Sequence, residues 1–192
     1  MVKYHIYIFR HGQTEFNRDH RFTGWKESKL TALGIRQARI VARKLKNKEI
    51  DVAFQSKLSR SKDTLKEVLK FHPKCRKILV DNRIIERDYG DLNGFYHEDI
   101  IKKYGEKQFE SWHRGFNNRP PRGESFADVE KRVGKFIIFL KNYIKKNRVN
   151  VAISAHGNSI RLFRKIMEKK QKSEVVKWKI PYDTYFHYMV DA

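Results

Sequence analysis

Cysteine is almost absent from this chain of 192 residues, which contains only Cys75. A lone cysteine cannot build an internal disulfide framework, and it lacks the paired spacing of a cysteine-based metal site. Long apolar runs are also missing, since no stretch approaches the ~20 residues that span a bilayer. The opening "MVKYHIYIFRHG" reaches a charge early and has no small-residue cleavage site, unlike a signal peptide. These absences predict a soluble, cytoplasmic protein without a membrane segment.

Acidic side chains are scarce, with 22 against 43 lysines and arginines, which gives a net charge of +21. A charge of this size favours anionic partners such as nucleic acid, an acidic membrane surface or phosphorylated small molecules. The lysines are spread along the chain, however, which is typical of a solvated basic surface. The sequence has no zinc pattern, RNA-binding aromatic motif or recognition-helix signature, so only the charge favours a nucleic-acid or polyphosphate binder.

The apolar fraction of 40%, including 13% aromatic residues, is enough for a hydrophobic core and excludes a disordered chain. No internal repeat and no low-complexity linker divides the sequence. At this length a single compact domain is the expected arrangement. We therefore expect one domain over residues 1–192.

Strand and helix patterns alternate along the chain. The predicted strands are His5–Phe9, Asp51–Gln55, Lys77–Val80, Asn150–Ser154 and Tyr185–Val190, the last at a sheet edge. The predicted helices are one capped by Thr31 that reaches Lys46, Ser59–Leu69, one behind a capping box of Ser125 and Asp128, and Asn158–Lys169. This alternation predicts an α/β fold, a mostly parallel sheet with helices on both faces.

Residues 81–121 break the alternation. Apart from short predicted helices at His97–Tyr104 and Glu106–Arg114, this segment has little periodic patterning and is rich in Arg, Asp, Tyr, Gly and His. A long insertion of this kind is usually a lid or the wall of a site. We expect it to cover the functional site.

Two strands end in the same way. "IYIFRHGQTEFN" leads into His11 and Gly12, and "VAISAHGNSIR" leads into His156 and Gly157. Ligands of open α/β sheets bind beyond the carboxyl ends of parallel strands, so both imidazoles meet in one crevice if the strands are neighbours. A glycine after each histidine removes a side chain and lets backbone N–H groups approach a ligand.

These residue types suit phosphoryl transfer. A neutral imidazole can attack phosphorus, and the charge on the transferred group calls for nearby cations. Arg10 is adjacent, and Arg60 lies near a predicted helix N-terminus, which would also favour an anion. Glu86 in "IIERDYG" is the best-placed general acid. Each residue alone has a structural explanation, such as Glu86 pairing with Arg87, but their joint occurrence favours a catalytic site.

Five motifs in order, "RHGQTEFN", "FTGWKESKLTALG", "SKLSRSKDT", "ERDYGDLNG" and "SAHGNSIR", resemble the histidine phosphatase superfamily. Within it, the chain is most similar to the 2,3-bisphosphoglycerate-dependent phosphoglycerate mutases. "KYGEKQFESWHRGF" with "RPPRGES" resembles the substrate-specifying insertion of their short form. The match runs from about His5 to Arg161, and it implies a three-layer sandwich with an insertion over the site.

The resemblance also implies roles. His11 would be the phosphorylated nucleophile, Glu86 the proton donor and acceptor, and His156, Arg10 and Arg60 the phosphate pocket. Further ligands of the phosphate or substrate would be Asn17, Thr23, Gly24, Arg87, Tyr89, Arg114, Gly157 and Asn158. Such an isomerase of glycolysis and gluconeogenesis interconverts 3-phosphoglycerate and 2-phosphoglycerate, needs 2,3-bisphosphoglycerate as a primer, and uses no metal.

Two positions depart from the mutase pattern. His97 replaces an expected lysine, and His113-Arg114 replaces an expected arginine pair. Both histidines could still bind phosphoglycerate, with a weaker grip at neutral pH if their pKa stays near 6.5. The lost cations favour an alternative, a phosphomonoesterase of the same superfamily in which water takes the phosphoryl group. The sequence also leaves a homo-oligomer open.

Overall fold

Strands and helices alternate in the computed structural model, which describes residues 2–192. The strands are β1 (Lys3–Arg10), β2 (Val52–Gln55), β3 (Lys77–Val80), β4 (Val151–Ala155) and β5 (Tyr185–Asp191). The helices are α1 (Glu15–Arg18), α2 (Ala32–Leu45), α3 (Ser59–Leu69), α4 (His97–Tyr104), α5 (Glu106–Arg114), α6 (Phe126–Asn147), α7 (Gly157–Met167) and α8 (Lys172–Val175). Short 3-10 helices cover Asn82–Ile84 and Gly90–Leu92.

The five strands form one sheet in the order β3-β2-β4-β1-β5. β1, β2, β3 and β4 are mutually parallel, and β5 pairs antiparallel with β1 at one edge. The mostly parallel sheet and the edge position of the last strand are therefore confirmed. The order also makes β1 and β4 neighbours, so their carboxyl ends lie side by side.

Successive residues of β1 face opposite layers of the fold. Ile6 and Ile8 pack into the cluster built with α6 and α7, where Phe136 and Phe163 are fully buried. Tyr7 and Phe9 pack into a second cluster with α2 and α3. Since adjacent side chains of a strand point to opposite faces, helices cover both sides of the sheet. The α/β class and the three-layer arrangement are confirmed.

Local capping explains where the longer helices begin. The Thr31 hydroxyl accepts the N–H of Gly34 at 3.0 Å and caps α2. Ser125 and Asp128 form a reciprocal capping box, with Ser125 N–H to Asp128 at 2.9 Å and Asp128 N–H to Ser125 at 3.1 Å. Behind it, α6 runs for 22 residues. Among residues 2–192, no helix is long and apolar enough to cross a membrane.

Some predicted boundaries were wrong. β1 begins at Lys3, before the predicted His5, because its antiparallel pairing with β5 continues to Lys3 opposite Asp191. α7 covers Gly157–Met167 and not the predicted Asn158–Lys169. Lys169 has a φ of 53°, which lies outside the α-helical range. The four-residue helices α1 and α8 were not predicted, because one helical turn has no hydrophobic period.

Residues 81–121 carry α4 and α5, both with the predicted bounds. Their buried residues Ile100 and Phe109 pack on Phe22, Tyr89 and Leu92, in a hydrophobic cluster separate from the two that flank the sheet. The insertion is thus fixed by its own small core to Phe22, in the loop between α1 and α2. This packing places the ends of α4 and α5 above the carboxyl ends of β1 and β4.

Candidate active site

His11 and His156 meet at the carboxyl edge of the sheet. Arg10 lies opposite Ala155 in the β1–β4 ladder, and the next bond, from the N–H of His11 to the carbonyl of Ala155, measures 3.0 Å. The two imidazole rings are 5.0 Å apart between centroids. Both are buried, with 2% and 0% of their surface exposed. The prediction that the two strand ends bring these histidines together is confirmed.

A cavity of about 570 Å³ opens at this edge. The predicted residues that line it are Arg10, His11, Asn17, Thr23, Gly24, Arg60, Glu86, Tyr89, His97, His113, Arg114, Gly157 and Asn158. His156 is buried beside His11 and does not line the cavity surface. Arg87 does not line the cavity either. The sequence motifs therefore converge from five separate segments on one chamber.

The hydrogen bonding of His11 fixes its tautomer. Its Nδ1 lies 2.8 Å from the carbonyl oxygen of Gly12, which can only accept, so Nδ1 carries the proton. Burial, with the guanidinium groups of Arg60 and Arg10 nearby, holds the pKa of His11 well below its ordinary value. The ring is neutral at pH 7, and the lone pair on Nε2 is free for nucleophilic attack.

His156 is held by a serine that sequence reasoning missed. Its Nε2 lies 2.7 Å from the hydroxyl of Ser56. That hydroxyl accepts the N–H of Leu58 at 3.2 Å, so its own proton can be donated to Nε2. The ring proton of His156 then lies on Nδ1, which is buried and has no partner among residues 2–192. Burial first, and Arg60 second, hold the pKa of His156 well below its ordinary value. In that tautomer the Nδ1–H of His156 is a donor without an acceptor within the described chain.

Two guanidinium groups flank the histidines, that of Arg60 buried and that of Arg10 half-buried. Arg60 is fully buried and donates to the carbonyls of Lys26 at 2.8 Å and Gly24 at 2.7 Å. Burial lowers its pKa to about 10, so the group stays charged at neutral pH. Arg10 donates to the carbonyl of Ile180 at 2.9 Å. The Nε of each arginine is buried without a partner among the described residues, and such free donors suit an oxyanion.

Glu86 is oriented by two backbone amides. Its Oε1 accepts the N–H of Arg87 at 2.7 Å and that of Asn158 at 3.1 Å. Oε2 has no hydrogen bond within residues 2–192, and the side chain lines the cavity. The carboxyl group is therefore positioned with one oxygen held and the other directed to exchange a proton with a ligand.

His11, Glu86 and His156 are of the residue types that bind metal ions in proteins. Ligand atoms of His11, Glu86 and His156 lie within 4.8 Å of one another. Arg10 and Arg60 adjoin this cluster, and their positive charges oppose a bound cation and favour an anion. The surroundings of these three side chains therefore fit a phosphate better than a metal ion. That the protein needs no metal stays a prediction.

Two backbone N–H groups near the site have partners within the chain. The N-terminus of α3 is capped by the chain's own carboxylate, since the N–H of Ser59 donates to Glu27 at 3.1 Å. Gly12 serves packing instead of ligand approach: its N–H donates to Thr64 at 3.1 Å, and a Cβ there would lie 2.1 Å from the carbonyl oxygen of Gly34. Neither the Ser59 amide at the α3 terminus nor the Gly12 amide is free for a phosphate.

Arg87 does not occupy the predicted substrate site. It is fully buried, and its guanidinium donates to four backbone carbonyls, at 2.6 Å to Trp112 and Glu124, 3.2 Å to His113 and 3.3 Å to Asn118. Its side chain forms no ion pair with Glu86. A side chain with its donors used in this way holds the end of α5 and the following loop in place behind the cavity wall.

His97 and His113 sit among aromatic rings. Their ring centroids are 5.3 Å apart, and Phe22 and Phe109 pack against both. Burial lowers the pKa of His97 to about 4 and that of His113 to about 2. The expectation of a pKa near 6.5 was therefore wrong, because the surroundings are apolar and Arg114 lies nearby. At pH 7 both histidines are neutral, so the two positions where the mutase pattern has cations are uncharged in this chain.

Sequence reasoning missed part of the lining: His20, Arg21, Phe22, Arg161, Lys179, Ile180, Pro181 and Tyr182. The sequence could have predicted Arg161, because this residue lies one helical turn after Gly157 in the motif "HGNSIR" and therefore on the same face of α7. Residues 179–182 carried no signal, because they form an irregular connection that only the tertiary fold brings to the cavity.

A family model for the histidine phosphatase superfamily (branch 1) matches residues 6–188. The chain belongs to the histidine phosphatase superfamily. A protein of Mesorhizobium japonicum named 2,3-bisphosphoglycerate-dependent phosphoglycerate mutase is 36% identical over 176 residues, which cover 90% of this chain and 85% of that protein. Similar relatives from other bacteria, including Chelativorans, carry the same name at 36% identity.

Solved structures share the fold of this chain at lower identity. The alpha-ribazole phosphatase of Shigella flexneri superposes with a TM-score of 0.83 at 23% identity, covering 95% of this chain and 89% of that one. A mycobacterial glucosyl-3-phosphoglycerate phosphatase gives 0.81 at 22% identity, covering 97% of both chains. Relatives named as a mutase and neighbours named as phosphatases thus have one architecture in common.

Proposed function

We propose that this protein is a 2,3-bisphosphoglycerate-dependent phosphoglycerate mutase of the cytoplasm. It would interconvert 3-phosphoglycerate and 2-phosphoglycerate in glycolysis and gluconeogenesis through a phosphohistidine at His11. The observation that carries the proposal is the charge of the cavity. Six cationic side chains line it, namely Arg10, Arg21, Arg60, Arg114, Arg161 and Lys179, and Glu86 is its only carboxylate among residues 2–192.

None of these cations forms an ion pair with a carboxylate in the described part of the chain. Two of the six, Arg60 and Arg161, are buried, and buried positive charge is costly unless a ligand neutralises it. A ligand with two phosphates and a carboxylate carries the negative charge that would balance these cations. The names of the relatives at 36% identity support the same substrate class.

Each residue has a part in the proposed reaction. Nε2 of His11 attacks phosphorus, while Arg10, Arg60 and Nδ1–H of His156 stabilise the charge on the transferred oxygens. Glu86 gives its proton to the leaving oxygen. In the return step Glu86 takes the proton of the acceptor hydroxyl of phosphoglycerate, which receives the phosphoryl group from His11. Bisphosphoglycerate supplies the first phosphoryl group as the primer.

The insertion is the proposed substrate wall. α4 and α5 direct His97, His113 and Arg114 into the cavity from the side opposite to the sheet. We infer that residues 81–121 decide which group of the substrate fits beyond the phosphate. Arg87 contributes by fixing the end of α5, so that it acts on the substrate only through its neighbours.

A second candidate is a phosphomonoesterase acting on small phosphorylated metabolites. The observation in its favour is the neutral pair of His97 and His113 within an aromatic cluster. A wall on which Arg114 is the only cation beside two neutral histidines accepts an uncharged leaving group, and it binds a second anionic group less firmly. Water would then take the phosphoryl group from His11 before another phosphoglycerate does.

The test is a coupled assay with 3-phosphoglycerate, with and without bisphosphoglycerate, run beside a measurement of inorganic phosphate. Conversion to 2-phosphoglycerate that depends on the primer supports the mutase. Phosphate release without that conversion supports the phosphomonoesterase. Salt-sensitive nucleic-acid binding without any turnover would contradict both and favour a basic binder.

A further inference from the structure

The connection between α8 and β5 is tied to the phosphate pocket by two arginines. Residues 178–182 form an irregular segment that we call the tethered segment. Arg161 donates to the carbonyl of Trp178 at 2.7 Å, and Arg10 donates to the carbonyl of Ile180 at 2.9 Å. Loops normally satisfy their carbonyls with water or their own backbone. Two charged donors from the active site fix this segment to the pocket instead.

Tyr182, at the end of the tethered segment, covers one face of the guanidinium of Arg10. The Cζ of Arg10 lies 3.9 Å from the centre of the Tyr182 ring, which is a close cation–π contact. The Tyr182 ring also faces the ring of His11, at 6.4 Å between centroids. The cation of the pocket and its nucleophile therefore border on the same aromatic side chain.

Gly157 covers the other face of the same guanidinium. A Cβ at Gly157 would lie 3.3 Å from Cζ and 3.4 Å from both Nε and Nη2 of Arg10. Nearly equal distances to three atoms of a planar group place Gly157 over its face. The Tyr182 ring already fills one side, so the guanidinium is held between the α7 backbone and the ring.

This arrangement leaves one edge of Arg10 for a ligand. The Ile180 carbonyl uses Nη1, whereas Nε is buried without a partner among residues 2–192. The edge formed by Nε and Nη2 is the fork that binds two oxygens of a phosphate. Rotation of the side chain would turn this fork away, and the two covered faces together with the Ile180 bond prevent it.

We propose that Tyr182 is a positioning residue that holds the Nε–Nη2 edge of Arg10 toward the phosphoryl group at His11. The proposal rests on phosphoryl chemistry at His11, and it holds for a mutase and a phosphatase alike. The hydroxyl of Tyr182 has no hydrogen bond within the described chain, so the ring itself is the functional part. Tyr182→Phe retains that ring, and Tyr182→Leu removes it while keeping an apolar side chain.

The test is the binding of orthovanadate, an oxyanion that requires neither mutase flux nor hydrolysis, measured by calorimetry. We expect Tyr182→Leu to weaken binding by about 3- to 30-fold, the range of a buried cation–π contact, and Tyr182→Phe to restore it to within about twofold. Tyr104→Leu is the matched control, because its ring lies 5.1 Å from the Nζ of Lys103 outside the cavity. It should leave vanadate affinity unchanged.

A double-mutant cycle separates positioning from general packing. In the Arg10→Met background, Tyr182→Leu should cause no further loss, because its effect acts through the guanidinium. An equal loss in both backgrounds would overturn the proposal, as would Tyr182→Phe losing as much affinity as Tyr182→Leu. If Tyr182→Leu does not fold, as judged by thermal unfolding, Tyr182→Met takes its place in the cycle. Failure of the mutase assay would not alter these binding results, so the two proposals fail separately.

Discussion

The Nδ1 atom of His11 lies 2.8 Å from the carbonyl oxygen of Gly12, and the tautomer of the ring follows from this contact. A carbonyl oxygen accepts and never donates, so the proton lies on Nδ1 and the lone pair on Nε2. Burial and two guanidinium groups lower the pKa of this ring, which keeps it neutral. The backbone contact thus places the lone pair of the proposed nucleophile on Nε2.

Replacing His11 with alanine should abolish both phosphoglycerate conversion and phosphate release. Loss of the nucleophile is expected to lower either rate by at least about a thousandfold. Wild-type protein incubated briefly with bisphosphoglycerate should carry acid-labile, alkali-stable phosphate on His11, detected by mass spectrometry. His187→Ala, which changes an exposed histidine of β5, should react like wild type. Phosphate found on a serine or an aspartate would contradict the mechanism.

Glu86→Gln tests the proton transfer. The amide can keep the contacts with the N–H groups of Arg87 and Asn158 through its oxygen, but it has no proton of suitable acidity. We expect turnover of phosphoglycerate to fall by about 10²- to 10⁴-fold. A phosphoester with a good leaving group, such as p-nitrophenyl phosphate, should lose much less, because its leaving oxygen needs no proton. Equal losses on both substrates would argue against a general acid.

Arg87 and Arg114 should behave in opposite ways. Arg87→Lys removes most of four buried hydrogen bonds and should lower the free energy of unfolding by about 3–5 kcal/mol. Arg114→Met should change that free energy by less than about 0.5 kcal/mol and raise KM for phosphoglycerate by roughly tenfold or more. Urea unfolding and steady-state kinetics on both variants check this. A stable Arg87→Lys protein with a raised KM would restore Arg87 as a substrate ligand.

His113 should make the folded protein sensitive to acid. Burial lowers its pKa to about 2, whereas in the unfolded chain the pKa is about 6.5. Between these values the unfolded state binds a proton that the folded state does not, so stability falls as the pH drops below about 6.5. From pH 7 to pH 5, wild type should lose about 1–2 kcal/mol more than His113→Gln. Parallel pH profiles in urea unfolding would contradict the lowered pKa.

His113→Arg should shift the balance between transfer and hydrolysis. A permanent cation beside Arg114 would hold the second anionic group of phosphoglycerate and keep it in place for transfer. The ratio of 2-phosphoglycerate formed to phosphate released should rise by about threefold or more, the effect of one added charge-assisted hydrogen bond. His187→Arg adds the same charge on the exposed side of β5 and is the control. An unchanged ratio would mean that His113 does not limit mutase specificity.

The sequence predicted most of the fold because its signals were local or strongly periodic. The strand cores, the caps at Thr31 and Ser125, and both short helices of the insertion were confirmed. Errors concentrated where pairing partners decide the outcome. β1 begins two residues early because β5 lies beside it, and that neighbour is distant in sequence.

For the site, the sequence by itself determined the candidate reacting groups: two strand-end histidines, the nearby arginines and a glutamate in recognisable motifs. Only the tertiary structure decided the burial and the hydrogen-bond partners of each group. In the folded chain Arg87 binds carbonyls at the end of α5, and Glu27 accepts an N–H at the N-terminus of α3. Tyr182 packs on the guanidinium of Arg10. The tertiary structure also made His97 and His113 neutral. The physical reason is that motifs specify residue type, whereas burial and the partner at each donor depend on segments that meet only in the folded chain.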